Sequence, residues 1–161
     1  MTTGILHSTA ASVTNGATWE FLYKRDSAGY GDDVIFCKED VCEMRDLSGN
    51  LSIALYTDTW TWLDTGYNVS TGTVYHVVAT YDGSRIKVYV NGDIEYNEVK
   101  TGGTLNYNDY PYKLNSRGTP EGTISSAGNH TFYVFRIYSR DLKSSEVRHL
   151  SNEVRTQFGE I

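Results

Sequence analysis

Hydrophobic and polar positions alternate in twos along much of this chain. The clearest stretch is VYHVVATYDGSRIKVYVNGDIEYN, residues 74–97. Its first eight residues are strongly β-prone. After Ser84, the side chains Ile86, Val88 and Val90 fall on one side, and Arg85, Lys87 and Tyr89 on the other. A period of two with one apolar side marks a strand that buries a single face. Asp82-Gly83 and Asn91-Gly92 are tight-turn dipeptides, so three consecutive antiparallel strands are predicted here. LSIALY (51–56) alternates in the same way, with Leu51, Ile53 and Leu55 set against Ser52, Ala54 and Tyr56.

Further strands are predicted at WEFLYKR (19–25), VIFCKE (34–39) and VCEMRD (41–46). The last strong run, HTFYVFRIYSR (130–140), is apolar on both faces at its start, which predicts a central strand. SAGYGDD (27–33) reads as a Gly-rich loop with paired acids, LSGN (47–50) as a turn, and TGGTLNYNDYPY (101–112) as a long polar loop. One helix is predicted in DLKSSEVRHLSNEVR (141–155). Ser144 is its expected cap, Glu146 suits the positive N-terminal end, and Val147, Leu150 and Val154 share a stripe. Residues 1–16 are small and polar and read as an N-terminal arm or edge strand ahead of a domain at 17–161. Many short strands and one small helix predict an all-β, two-sheet antiparallel sandwich.

Composition narrows the function classes. The chain has 161 residues, enough for one domain with a sizeable core. Thirteen Tyr accompany five Phe and three Trp, an excess that suits sheets with a partly wet face or a binding surface. The net charge of −6 and the lack of a basic stripe exclude nucleic acid as the expected partner, and the same acidity disfavours anionic membranes. No apolar run reaches membrane-spanning length. The start, MTTGILHSTAAS, has no signal-peptide pattern. That leaves a protein not secreted by that route, an excised domain, or one that leaves the cell otherwise, for example assembled into a virus particle. Cys37 and Cys42 form a single C-x4-C pair, which does not support a four-ligand metal site. A disulfide requires the two to lie across a hairpin; two reduced thiols are the plainer reading. Sequons occur at Asn50, Asn68 and Asn129 and matter only in a glycosylating compartment.

These residues carry a family likeness. VYHVVATYDGSRIKVYVNGDIE resembles the concanavalin A-like jelly roll in its laminin G-like branch, where a strand ending near W/Y-H-x-V-A-x-T-Y-D-G precedes one reading x-x-Y-V-N/D-G. FRIYSRDLKSSEVRHLSNEVRTQFG resembles that family's last strand and short helix. The ending NEVRTQFG is further similar to laminin G-like domains of bacteriophage structural and tail proteins. The likeness covers roughly residues 17–158. It implies two curved antiparallel sheets in a jelly roll, with ligands held by rim loops or on the concave face. The family's members include sugar-binding modules, adhesion domains and glycan-degrading enzymes, and many bind calcium near the ligand.

Several residue groups are candidates for such a site. Trp60 and Trp62, in TWTWLDTGY, share one face of an extended strand, with Thr59, Thr61 and Leu63 on the other. They read either as core or as a stacking platform for a sugar, with Asp58, Asp64 and Tyr67 nearby to hydrogen-bond. The preferred arrangement has one ring partly buried and the other at the rim. The loop NYNDYPY offers Tyr107, Tyr110 and Tyr112 beside Asn106, Asn108 and Asp109. Tyr30 and Arg117 are weaker candidates for the same role. For calcium, which takes six to eight oxygens, the resemblance points to loop acids, with Asp32, Asp33 and Asp109 as the assigned ligands. Glycosidases of this fold set two carboxylates about 5–5.5 Å apart on one strand face for retention. Here Glu39 and Glu43 share a face only if KEDVCE is extended, and Val41 stands where the middle acid of such a motif belongs. The expected function is therefore a non-catalytic recognition module for carbohydrate, on a virion surface or otherwise extracellular, with host glycan or other virion proteins as partners. A purely structural virion protein and a glycoside hydrolase or lyase are the alternatives.

Overall fold

Two turns set the frame. Asp82 accepts at Oδ1 from the backbone N–H groups of Ser84 and Arg85, at 3.0 and 2.7 Å, and Gly83 takes φ +94°. Asn91 and Gly92 both have positive φ, 53° and 94°, as the hairpin turn of right-handed twist requires. Asn91 is also tied to the neighbouring strand, because its side-chain oxygen accepts from the backbone N–H of His76 at 2.9 Å.

The computed structural model describes residues 5–6, 16–29, 32–99, 103–106, 108–119 and 123–159. Its strands are β1 (Ile5–Leu6), β2 (Ala17–Arg25), β3 (Val34–Lys38), β4 (Cys42–Leu47), β5 (Asn50–Tyr56), β6 (Trp60–Asn68) and β7 (Val74–Tyr81). They continue with β8 (Arg85–Val90), β9 (Asp93–Val99), β10 (Tyr112–Leu114), β11 (Ser116–Gly118), β12 (Ile124–Ala127) and β13 (His130–Tyr138), and the chain closes with helix α1 (Ser144–Phe158). One sheet has six strands in the order β1-β10-β3-β4-β5-β6, the other five in the order β13-β2-β7-β8-β9, and β11-β12 form a small third ribbon. All pairings are antiparallel. This is the expected two-sheet jelly-roll sandwich with one short C-terminal helix.

The core lies between the sheets. Trp19, Phe21 and Tyr23 project inward from β2, Phe36 from β3, Met44 from β4, and Leu51, Ile53 and Leu55 from β5. Val77, Ala79, Ile86 and Val88 meet them from the facing sheet. Each large apolar side chain fully buried in this way contributes about 1.5–3 kcal/mol. Polar bonds also cross the core: Trp19 donates its indole N–H to the Tyr112 hydroxyl at 3.1 Å. Arg25 donates to Asp46 on the facing sheet at 3.0 Å and to Asp33 at 2.9 Å, and His130 Nε2 lies 2.9 Å from the other Asp46 oxygen.

Three local expectations are corrected. β13 lies at the edge of its sheet, paired only with β2, and is not central. Its outer face is apolar at the start because the C-terminal helix leans on it: the Tyr133 and Phe158 rings lie 6.2 Å apart. The helix cap is Lys143, not Ser144; Glu146 accepts from the Lys143 backbone N–H at 2.8 Å, and the Ser144 hydroxyl instead meets the Tyr89 hydroxyl at 2.9 Å. Residues 39–41 form a turn with Asp40 at φ +57°, so KEDVCE is not one extended strand and Glu39 and Glu43 do not share a strand face.

Candidate functional site

Strand parity builds a continuous surface on the outward face of the six-stranded sheet. Because Leu51, Ile53 and Leu55 point inward, Ser52, Ala54 and Tyr56 point outward. Cross-strand pairing aligns Trp62 with Ala54, Ala54 with Glu43, and Glu43 with Cys37. The next rung aligns Asp64 with Ser52 and Ser52 with Arg45. Trp60 sits opposite Tyr56, and their rings lie 5.5 Å apart. Directly opposed residues share a face, so Trp60, Trp62, Tyr56 and Asp64 all face outward.

Ala54 and Ser52 are small, which lets Arg45 lie across them. Its guanidinium carbon rests 3.7 Å from the centre of the Trp62 ring. Arg45 Nη1 is also 3.5 Å from Asp32. Asp32 in turn holds Arg117, which β11 carries over β3, and Arg117 grips Glu43 with Nε at 2.7 Å and Nη2 at 2.9 Å. Burial raises the pKa of Glu43 above the ordinary carboxylate value, and the adjacent Arg117 charge offsets this only in part. The result is a chain of contacts from Glu43 through Arg117, Asp32 and Arg45 to Trp62. Trp62 keeps 38% of its surface exposed, and Trp60 is half-buried.

The remaining candidates separate into groups. Asp64 is exposed beside the Trp pair and accepts from Asn50 Nδ2 at 3.1 Å and from the Gly66 N–H at 2.9 Å. Tyr67 does not join them. It shares the parity of Thr61 and Leu63, so it faces inward and packs edge-on against Tyr75 at 6.2 Å. Tyr112 is not a loop residue; it lies in β10, buried to 7% and bonded to Trp19. Asn108 anchors its loop by donating to the Glu39 carbonyl at 2.8 Å, and its own side-chain oxygen accepts from the Tyr110 N–H at 3.0 Å. Tyr110 is exposed at 37%. Asn106 donates its backbone N–H to the Tyr56 carbonyl at 2.9 Å, which brings this loop to the Tyr56–Trp60 end of the sheet. Tyr107 and Tyr30 lie outside the described residues.

The three assigned calcium ligands do not converge. Asp32 is engaged by Arg117 and Arg45, and Asp33 by Arg25. Both precede β3, whereas Asp109 lies at its far end, since Tyr112 pairs with Lys38. Among the described residues no group of three or more His, Cys, Asp or Glu is arranged to hold a metal ion. Cys37 and Cys42 are both free and buried; Cys37 faces outward opposite Glu43, Cys42 inward with the core.

Sequence reasoning missed Arg45 and Tyr56. The parity of CEMRDL around inward Met44 carried the signal for Arg45, and the alternation of LSIALY carried it for Tyr56. The crossing of Arg117 over β3 left no local signal, because it depends on a contact 74 residues apart with Glu43.

Helix α1 covers part of the other outward face, packing Val147 with Val78 and Tyr89 of the five-stranded sheet, and Val154 is buried as well. Beneath it Glu20 is fully buried and accepts from Tyr138 at 2.6 Å and Arg136 at 3.0 Å, with His76 Nε2 at 3.2 Å. Hollows of about 340 and 510 Å³ flank the helix and share His149.

A family model described as the concanavalin A-like lectin/glucanases superfamily matches residues 2–148. Among curated proteins none matches the chain. Among solved structures, the binding domain of botulinum neurotoxin serotype G is 13% identical, with a TM-score of 0.64 over 88% of this chain and 37% of that one. The binding domain of botulinum neurotoxin DC, in complex with rat synaptotagmin II, is 14% identical, with a TM-score of 0.66 over 89% and 37%. A structure describing cell entry of botulinum neurotoxin type C as dependent upon interaction with two ganglioside molecules is 16% identical, with a TM-score of 0.60 over 87% and 36%. The chain thus spans little more than a third of each of these longer chains, and the likeness is one of fold.

Proposed function

The chain belongs to the concanavalin A-like lectin/glucanases superfamily, and from that premise we propose that it is a non-catalytic recognition module that binds carbohydrate on the outward face of its six-stranded sheet. The observation that carries this reading is Trp62, a large exposed ring fixed on a sheet, with Trp60 and Tyr56 in the same outward row and Asp64 beside it. Flat aromatic surface next to carboxylate and amide groups is the chemistry that binds a sugar ring, with an apolar face on the aromatic and hydroxyls on the acceptors. The similar folds point the same way: they are binding domains, one described with gangliosides and one in complex with a protein. We place the module outside the cell, on a virion surface as an adhesion or decoration protein for a host glycan.

Two features bear on the alternatives. Asp32 and Glu43 converge on one centre, and the Arg117 guanidinium fills it. A glycosidase needs open space there for the scissile bond, so the arrangement favours binding over turnover. A docking role on another protein is favoured by the exposed Tyr133 and Phe158 on the far side, at 44% and 42% exposure.

A glycan array with the purified protein, run with calcium and again with EDTA, tests the reading. Binding is expected in both conditions, because Asp32 and Asp33 are committed to guanidiniums. Trp62→Ala should remove the signal while the protein stays folded. A blank array from folded protein, with self-association or capture of a second virion protein, would move the function to docking.

A further inference from the structure

We propose that this face selects uncharged sugars and rejects sialylated, uronic and sulfated ones. The inference rests on the carbohydrate reading above and names the class of ligand that the same surface takes.

The argument is the occupancy of the cations. An acidic sugar is held by a guanidinium or ammonium free to pair with it. On this face Arg117 is shared between Glu43 and Asp32. Arg45 is held between Asp32 and the Trp62 ring. Lys113 donates to the backbone carbonyls of Gly118 and Thr119, with the first bond at 2.7 Å. A sugar carboxylate approaching Arg45 would meet Asp32, 3.5 Å from Nη1, and Glu43, two residues along the same strand.

The exposed charges beside the rings have the opposite sign. Asp64 stands on the strand that carries Trp60 and Trp62, and Asp58 in the turn between Tyr56 and Trp60; both are exposed. Asp64 accepts one bond at each oxygen, from Asn50 and Gly66, and an ionised carboxylate has about four lone-pair sites. Acceptors remain there for sugar hydroxyls, while a second anion beside them is repelled. The whole chain, at −6, adds to that repulsion.

The test is an array that carries each neutral oligosaccharide beside its sialylated, uronate or sulfated derivative, probed with the full chain at low and at physiological salt. Signals on neutral members should exceed those on their charged derivatives by about tenfold or more, and the gap should narrow as salt rises. Equal or stronger signals on the charged derivatives would overturn the inference and leave the carbohydrate reading standing. Asp58→Asn is the second arm. It should shrink the discrimination several-fold, whereas an unchanged ratio would assign the selectivity to shape and overturn the charge argument. A blank array from folded protein would remove the carbohydrate reading itself, and this inference with it.

Discussion

Arg45 lies over Trp62, its guanidinium carbon 3.7 Å from the ring centre. The contact orients the ring without hiding it. An exposed cation–π pair of this kind contributes about 0.5–1 kcal/mol. Arg45→Ala should therefore cost about 1 kcal/mol or less and weaken carbohydrate binding only a few-fold, because the ring surface survives. Trp62→Ala should weaken binding by about tenfold or more, since a sugar ring loses its stacking partner. Calorimetric titration of both variants against one array ligand checks the order of the two losses.

Asp46 joins the sheets. It is fully buried and accepts from Arg25, with His130 Nε2 at its second oxygen. Asn115 completes the set by accepting from the His130 backbone N–H at 3.1 Å and donating to its carbonyl at 2.8 Å. Asp46→Ala leaves the Arg25 charge with half its compensation, and removing one partner of a buried pair costs about 3–5 kcal/mol. Urea unfolding should show that loss as a lower midpoint. A change under about 1 kcal/mol would mean the pair is not tight in solution.

Glu20 should shape the acid limit of stability. Burial alone would raise its pKa, but hydrogen bonds from His76 and Tyr138 and the Arg136 charge outweigh burial and hold it below its ordinary 4.5. A carboxylate lowered on folding contributes stability that is complete above the unfolded value and is lost as pH falls through the folded one. Stability of the native protein should thus drop more steeply below pH about 4.5 than that of Glu20→Gln. Parallel slopes in pH-dependent urea melts would refute the assignment.

The thiols should be silent. Cys37 and Cys42 face opposite sides of the same sheet, and burial pushes both far above the ordinary thiol pKa. A disulfide between them has no geometry to form in. Reductant should leave the melting temperature unchanged, and a thiol reagent should react with both groups only as the protein unfolds.

What the sequence made legible was parity and punctuation. The inward set of LSIALY and the Asp82-Gly83 and Asn91-Gly92 turns appear where alternation and turn chemistry place them. The sequence hid what depends on neighbours. β13 reads as central because apolar residues on both faces have the same pattern whether a second strand or a helix covers them. The thin inner face of β6, with Thr61 and Leu63, is sufficient because β6 is an edge strand with less core to cover, and that frees Trp60 and Trp62 to face outward. β10, at three residues, is too short for periodicity to mark, so Tyr112 looked like part of the loop that carries Tyr110. The family likeness supplied the jelly roll; the ion-paired surface around Arg117 came only with the third dimension.

The outermost strand of the five-stranded sheet, β9, carries Asp93, Glu95 and Glu98 along an exposed edge. Three carboxylates in seven residues make that border mutually repellent between copies. Neighbours crowded on one surface would meet there as like-charged fences, unable to zip their sheets into a continuous ribbon. Dense display would leave each copy a separate, turnable unit, its aromatic face still open to whatever passes.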